Sequence, residues 1–153
     1  MYNLAMAEKE AVRVIMENQK RVLVIRRGLG LKNDPGKLSL PGGKAEADDY
    51  AAEAEREVFE ELGLKVPAHL LTFLASKRKM FRGQEWRQTY FWTRITEGQV
   101  DEAKLSFRRE EIAEVLLLDT GQVDQMRDQF AFGDGVVAGW FLSNFLRRLW
   151  CPC

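Results

Sequence analysis

Between Gly42 and Leu64 the chain reads GGKAEADDYAAEAEREVFEELGL: a glycine pair, an acidic entry, then a helix-forming run that stops at another glycine. With 3.6 residues per turn, spacings of three and four gather Glu57, Glu60 and Glu61 on one face, with Glu53 a turn earlier on the same side. Ala51, Ala54, Val58 and Leu62 recur at helical spacing as an apolar stripe, so this helix, expected over roughly 49–62, must lie against a core with its acids turned outward. Asp48 or Asp49 stands where an N-cap belongs, and Gly63 where a C-cap glycine belongs. Like charges one turn apart repel by roughly 0.2–0.5 kcal/mol per pair. An oxygen-only cluster of this kind suits a hard cation such as Mg²⁺ or Mn²⁺. On spacing alone, a solvated acidic helix face explains it equally well.

The register of the segment adds a second argument. Arg56-Glu57-Val58-Phe59-Glu60-Glu61-Leu62-Gly63-Leu64 resembles, position for position, the second half of the Nudix box, REUxEExGU with U an aliphatic residue. The first half is a glycine, five residues, an acidic glutamate position and seven residues before the arginine. Measured from Gly43, the second glycine of the usual Gly-Gly pair, it is one residue short. Counting back from Arg56 puts Asp48 at the acidic position and Gly42 at the glycine; counting forward from Gly43 puts Asp49 there. In both registers Asp replaces Glu.

The resemblance implies an α+β domain in which a mixed β-sheet is sandwiched between α-helices, with the box as a loop–helix–loop at the sheet edge. It implies a hydrolase that cleaves a nucleoside diphosphate linked to a further group by water attack at phosphorus. A pyrophosphate is densely anionic, and bound Mg²⁺ neutralises that charge, lowers the pKa of a bound water and orients the leaving phosphate. By the same resemblance Glu57, Glu60 and Glu61 hold Mg²⁺, or Mn²⁺ in its place. Arg56, turned away from Glu57 and one turn before Glu60, orients carboxylates rather than touching substrate. Gly42 and Gly43 let backbone N–H groups approach a ligand. The general base is a box glutamate, Glu57 first, or an acid on a later loop. The pair Glu110-Glu111, ahead of the strand Val115–Leu118, is available for the latter, and Glu111 joins the candidate metal ligands.

Around the box the pattern is mainly β. Ala11–Met16 and Arg21–Arg26 read as a hairpin over the polar turn Glu17–Lys20. Gly28–Gly36 is a loop, and Lys37–Leu40 a short strand ended by Pro41-Gly42-Gly43. Leu70–Met80 and Arg87–Thr96 are longer strands flanking Arg82-Gly83-Gln84, and helices are expected over Thr120–Gln129 and Gly135–Leu149. Arg26 and Arg27, ending the second strand, are candidates for substrate phosphates or plain edge charges. Trp86, Tyr90, Phe91 and Trp92 crowd one strand, mostly as core. Phe132 and Asp134, ahead of the last helix, are candidates to border a base. The position of Asp134 loosely resembles the one at which MutT-like members of the family place a base-reading polar side chain.

Composition narrows the partners. With 153 residues, 46% of them hydrophobic, a single domain with a sizeable core is expected. Basic and acidic residues number 23 each, for zero net charge, which speaks against a nucleic-acid polymer and leaves room for a small nucleotide held by metal and local arginines. The apolar run Val136–Trp150 is too short to span a bilayer and contains Arg147 and Arg148, so it reads as a docking helix. Two cysteines, Cys151 and Cys153, sit in what is expected to be a flexible tail from about residue 150. A cytoplasmic monomer or homodimer is expected. Within the family, a MutT-like nucleoside triphosphate hydrolase is the leading expectation. The alternatives are an ADP-ribose, ADP-sugar or dinucleoside polyphosphate hydrolase and a non-catalytic nucleotide sensor. The proline that usually follows the box in ADP-sugar hydrolases is missing, since Pro67 comes too early and no other precedes Pro152.

Overall fold

A computed structural model describes residues 8–146 of the chain. Seven strands, β1 (Lys9–Asn18), β2 (Arg21–Arg27), β3 (Leu38–Ser39), β4 (Gly42–Lys44), β5 (Thr72–Phe81), β6 (Gln84–Arg94) and β7 (Ile112–Leu118), form one mixed sheet. The helices are α1 (Tyr50–Leu62), α2 (Glu97–Ser106), α3 (Thr120–Gln125) and α4 (Asp134–Trp140).

The order along the sheet is β3-β2-β1-β6-β5, with β4 added to β1 and β7 to β2. β1 and β6 run parallel from Lys9↔Trp86 to Glu17↔Arg94, and the other pairings between these strands are antiparallel. The runs AVRVIM and VLVI are nearly continuous in apolar residues because both faces of the sheet are covered. On one face Val12, Val14, Met16, Leu23 and Ile25 pack against Ala54, Val58 and Leu62 of α1 and Val100 and Ala103 of α2. On the other, Ile15, Val22, Val24 and Tyr90 pack against Val123 of α3 and against Val137, Ala138, Phe141 and Leu142. The sheet is thus sandwiched between helices, as the resemblance implied.

Most boundaries lie within a few residues of the sequence reading. Gln19 and Lys20 both have positive φ (51° and 63°), as do Arg82 and Gly83 (52° and 78°). Both hairpins therefore close through two-residue turns whose twist matches that of their strands. The turn Pro41-Gly42-Gly43 continues into β4, which pairs with β1. α2 was not anticipated: it buries only Val100 and Ala103, too thin a stripe to show as periodicity. The helix expected over Thr120–Gln129 stops at Gln125 and resumes as a 3₁₀ turn at Arg127–Gln129. α4 runs on into a π-helical turn at Phe141–Phe145, while residues 147–153, with Cys151 and Cys153, lie outside the described residues. Among the described residues no helix is long and apolar enough to cross a membrane.

Candidate active site

α1 begins where Asp49 accepts a hydrogen bond from the Ala52 N–H (3.1 Å) and ends at Gly63, which is left-handed at φ 70°. Of the two candidate aspartates, Asp49 is therefore the cap. The buried stripe Ala54, Val58 and Leu62 pins the helix to the sheet and turns Glu57 and Glu61 towards the glycine pair of β4.

That glycine pair is fitted to the two acids. Gly42 has φ +153°, and a side chain there would place its Cβ 1.9 Å from the Val12 carbonyl oxygen. Its N–H donates to Glu61 Oε1 at 2.7 Å. A Cβ on Gly43 would come 2.5 Å from Glu57 Oε2, so the carboxylate occupies the space a side chain would need. β4 pairs with β1 so that Gly42 lies opposite Arg13. Arg13 lines the resulting cleft with Arg27, Lys44, Glu57, Glu61 and Glu111. The late acid Glu111 thus meets two of the box glutamates, whereas its neighbour Glu110 points into solvent with an 80% exposed side chain.

Burial is the main influence on both box acids. It pushes Glu57 above the usual carboxylate range, against the pull of Arg56 and Arg13. It raises Glu61 to about 8, opposed by the Gly42 N–H and by Arg13 and reinforced by Glu57 and Glu111. Two partly buried carboxylates that resist ionisation are what a bound cation would stabilise in charged form. The donors are all oxygens, which fits Mg²⁺ or Mn²⁺. Among the described residues no three acidic, histidine or cysteine side chains form a ready-made cage. Mg²⁺ asks for less, since it keeps several waters and takes one or two protein carboxylates.

Glu60 behaves differently from the other two. Its carboxylate accepts from Arg56 Nη1 at 3.1 Å on both oxygens and is 44% exposed, at the rim rather than in the cleft. Arg56 also donates to Glu53 and stands 3.1 Å from Glu57 Oε1. This corrects the reading that turned it away from Glu57: the long guanidinium curls back along the helix and reaches Glu53, Glu57 and Glu60 together.

Arg26 and Arg27 separate. The pairing of β2 with β7 slips between them. Arg26 turns to Glu114 (2.8 Å) and the Gly36 carbonyl (3.0 Å), away from the cleft, so its expected phosphate role is not supported. Arg27 enters the cleft, and burial and the Arg13 charge lower its pKa.

A second cleft adjoins the first. It is lined by Arg13, Arg27, Phe81, Trp86, Gln88 and Phe132, among others. Phe132, at φ 63°, lies between two guanidiniums, 4.5 Å from Arg13 and 5.2 Å from Arg27, and edge-on to Phe81. Strand alternation divides the aromatic cluster of β6. Trp86 faces this cleft, Phe91 belongs to the opposite core, and Trp92 packs on Phe141 and Phe145.

Asp134 does not border this space. It is fully buried, accepting from the Leu40 N–H (2.9 Å) and the Tyr90 hydroxyl (2.8 Å), with Arg13 Nε at 3.6 Å. The expectation that it touches a base is corrected, because its position at the start of α4 puts it beneath the sheet-side wall. The sequence reading missed Arg13 altogether. The signal was a single arginine inside the apolar run AVRVIM, whose charge needs a partner or a ligand.

A family model described as NUDIX domain matches residues 7–141. The structure is similar to that of a MutT protein from Methanosarcina mazei Go1 (TM-score 0.73, 18% identity, covering 97% of this chain and 100% of that one). It also resembles the E. coli ORF135 protein (TM-score 0.71, 20% identity, covering 97% and 96%). A third likeness is to the NUDIX domain of Shewanella oneidensis NrtR complexed with ADP ribose (TM-score 0.69, 16% identity, covering 94% and 89%). At these identities the likeness concerns the fold.

Proposed function

This chain belongs to the Nudix family of hydrolases, and from that premise we propose that it is a Mg²⁺-dependent pyrophosphohydrolase acting on a nucleoside triphosphate or a related nucleoside diphosphate derivative. The observation that carries the proposal is the meeting of Glu57, Glu61 and Glu111 with Arg13, Arg27 and Lys44 in one cleft that opens onto an aromatic one. The carboxylates would hold Mg²⁺ or Mn²⁺, and the ion, when bound, supplies charge neutralisation at the pyrophosphate. Arg13, Arg27 and Lys44 would bind phosphate oxygens from the other wall. Arg56 fixes Glu57 and Glu60 through its guanidinium, a positioning role. Glu57 or Glu111, both facing the cleft, would take the proton of the attacking water. Phe132, Phe81 and Trp86 offer the ring a stacking surface, worth about 1–3 kcal/mol per base in single-strand complexes. With zero net charge and a site made of two small adjoining clefts, the substrate is a small nucleotide and not a polymer.

The test is product analysis with Mg²⁺ on a panel of nucleoside triphosphates, ADP-ribose and dinucleoside polyphosphates. The proposal expects a triphosphate to give monophosphate and pyrophosphate. Inert triphosphates with AMP and ribose phosphate released from ADP-ribose would favour the ADP-sugar alternative. Tight nucleotide binding with no turnover would favour a sensor.

A further inference from the structure

Gln88, on the cleft-facing side of β6, is buried at 5% exposure yet lines the aromatic cleft beside Trp86 and Phe132. Its amide meets the hydroxyl of Tyr90, with Gln88 Oε1 2.8 Å from that oxygen. On its other side the same hydroxyl lies 2.8 Å from Asp134 Oδ1. A phenol carries one proton, so it cannot donate to two acceptors. One neighbour must donate to Tyr90 instead: either Asp134 is protonated, or the amide is turned so that its nitrogen faces Tyr90. The two amide orientations have the same shape and differ only in hydrogen bonding.

The surroundings of Asp134 decide between them. Its Oδ2 takes the Leu40 N–H and faces the Arg13 guanidinium, whose buried Nε has no hydrogen-bond partner. Burial pushes the Asp134 carboxyl up, while Arg13, the Leu40 N–H and the Tyr90 hydroxyl pull it back down. Ionised, it pairs the buried Arg13 cation, whereas protonated it would leave that cation without its neighbour's charge. With Asp134 ionised, Tyr90 donates to it and the Gln88 Nε2 donates to Tyr90. The remaining amide atom, the acceptor Oε1, is then the one turned to the cleft.

We propose that Gln88 is a specificity-determining residue that presents its carbonyl oxygen to the substrate's ring, with Tyr90 and Asp134 as positioning residues. The cleft therefore selects rings bearing an exocyclic amino group over those with a carbonyl at that position. A carbonyl there sets one lone pair against another, a repulsive device of the kind on which selectivity depends. The inference rests on the reading of the aromatic cleft as the base site, and it does not depend on which bond the enzyme cleaves.

Binding of nucleoside monophosphates, measured by calorimetry with the intact chain, separates the two. The expected result is that CMP binds tighter than UMP, and AMP tighter than IMP, by roughly tenfold each, the effect of one hydrogen bond gained and one repulsion avoided. Tyr90→Phe frees the amide to turn, and Gln88→Leu removes it. In Gln88→Leu the ratios fall to about one through loss of affinity for the amino member. In Tyr90→Phe they do so through gain of affinity for the carbonyl member, to which the freed amide can turn its nitrogen, whereas a purely structural lesion would weaken both members alike. If Tyr90→Phe does not fold, Gln88→Leu carries the test alone. Equal or reversed ratios in the unaltered protein, ratios that survive in Gln88→Leu, or no binding of any of the four would overturn the inference. Hydrolysis of a triphosphate without ring preference would sink it and leave the proposed function standing. Ring preference without hydrolysis would do the reverse.

Discussion

The glycine pair and the glutamates it faces form the tightest fit in the site. Because the carboxylate of Glu57 fills the space beside Gly43, Gly43→Ala should displace the acid without disturbing the core. The expected outcome is a loss of at least tenfold in metal-dependent turnover with a melting temperature near that of the parent. A large loss of stability with turnover intact would show that the contact is only packing. Glu61 offers a pH test. Its pKa in the fold is raised to about 8, against about 4.3 for an unfolded glutamate. The folded state then binds the proton more tightly, so the contribution to stability is full below about pH 4.3 and is lost as pH rises towards 8. Melts in EDTA should show stability falling across that window, with the slope reduced in Glu61→Gln, which keeps an acceptor for the Gly42 N–H. An unchanged slope in the variant would refute the assignment. At this scale the sequence showed the acids but not their geometry. Glu57, Glu60 and Glu61 share a helix face, yet only the fold decides that Glu60 goes to Arg56 at the rim while Glu111 comes in from 50 residues away.

Among the elements, those with strong local signals were legible and those without were not. α1 carried cap, stripe and terminating glycine in its own sequence, and the structure begins it one residue after Asp49. The two hairpins announced themselves through polar or glycine-bearing turns. α2 lacked a broad apolar face, and its one local sign was the Thr96-x-x-Gln99 box. In the structure Gln99 N–H donates to Thr96 Oγ1 (3.1 Å) and Thr96 N–H to Gln99 Oε1 (2.9 Å). Since only Val100 and Ala103 are buried, this helix leans on its cap more than on packing. Thr96→Ala should therefore cost about 1 kcal/mol of unfolding free energy in denaturant titration. A change below about 0.3 kcal/mol would mean that packing alone suffices. Asp134 shows the opposite limit. Its place before α4 suggested a base contact, but only the tertiary packing of α4 beneath Tyr90 reveals that it is sealed from the cleft.

At the scale of the molecule, two apolar cores share one sheet. Val14 and Ile15 are neighbours in β1 that serve opposite cores, so neither core can melt while the strand between them stays ordered. A single cooperative unfolding transition, coincident by far-UV circular dichroism and tryptophan fluorescence, is expected, and two separated transitions would contradict a one-domain account. The same sheet brings β1, β2 and β4 to the face of α1, so that the carboxylates of the helix and the guanidiniums of Arg13 and Arg27 confront each other across one cleft. That confrontation is the basis for the claim of metal-assisted hydrolysis. Its most direct test is turnover of a nucleoside triphosphate as a function of Mg²⁺ concentration, for the parent and for Glu57→Gln, which keeps the shape of the side chain and removes its charge. The account predicts no turnover in EDTA, saturable activation by Mg²⁺ in the parent, and a rate lower by at least about 100-fold in a folded Glu57→Gln, beyond the usual cost of losing an outer partner of a metal site. Turnover in EDTA, or near-parental Mg²⁺-dependent turnover in Glu57→Gln, would contradict it.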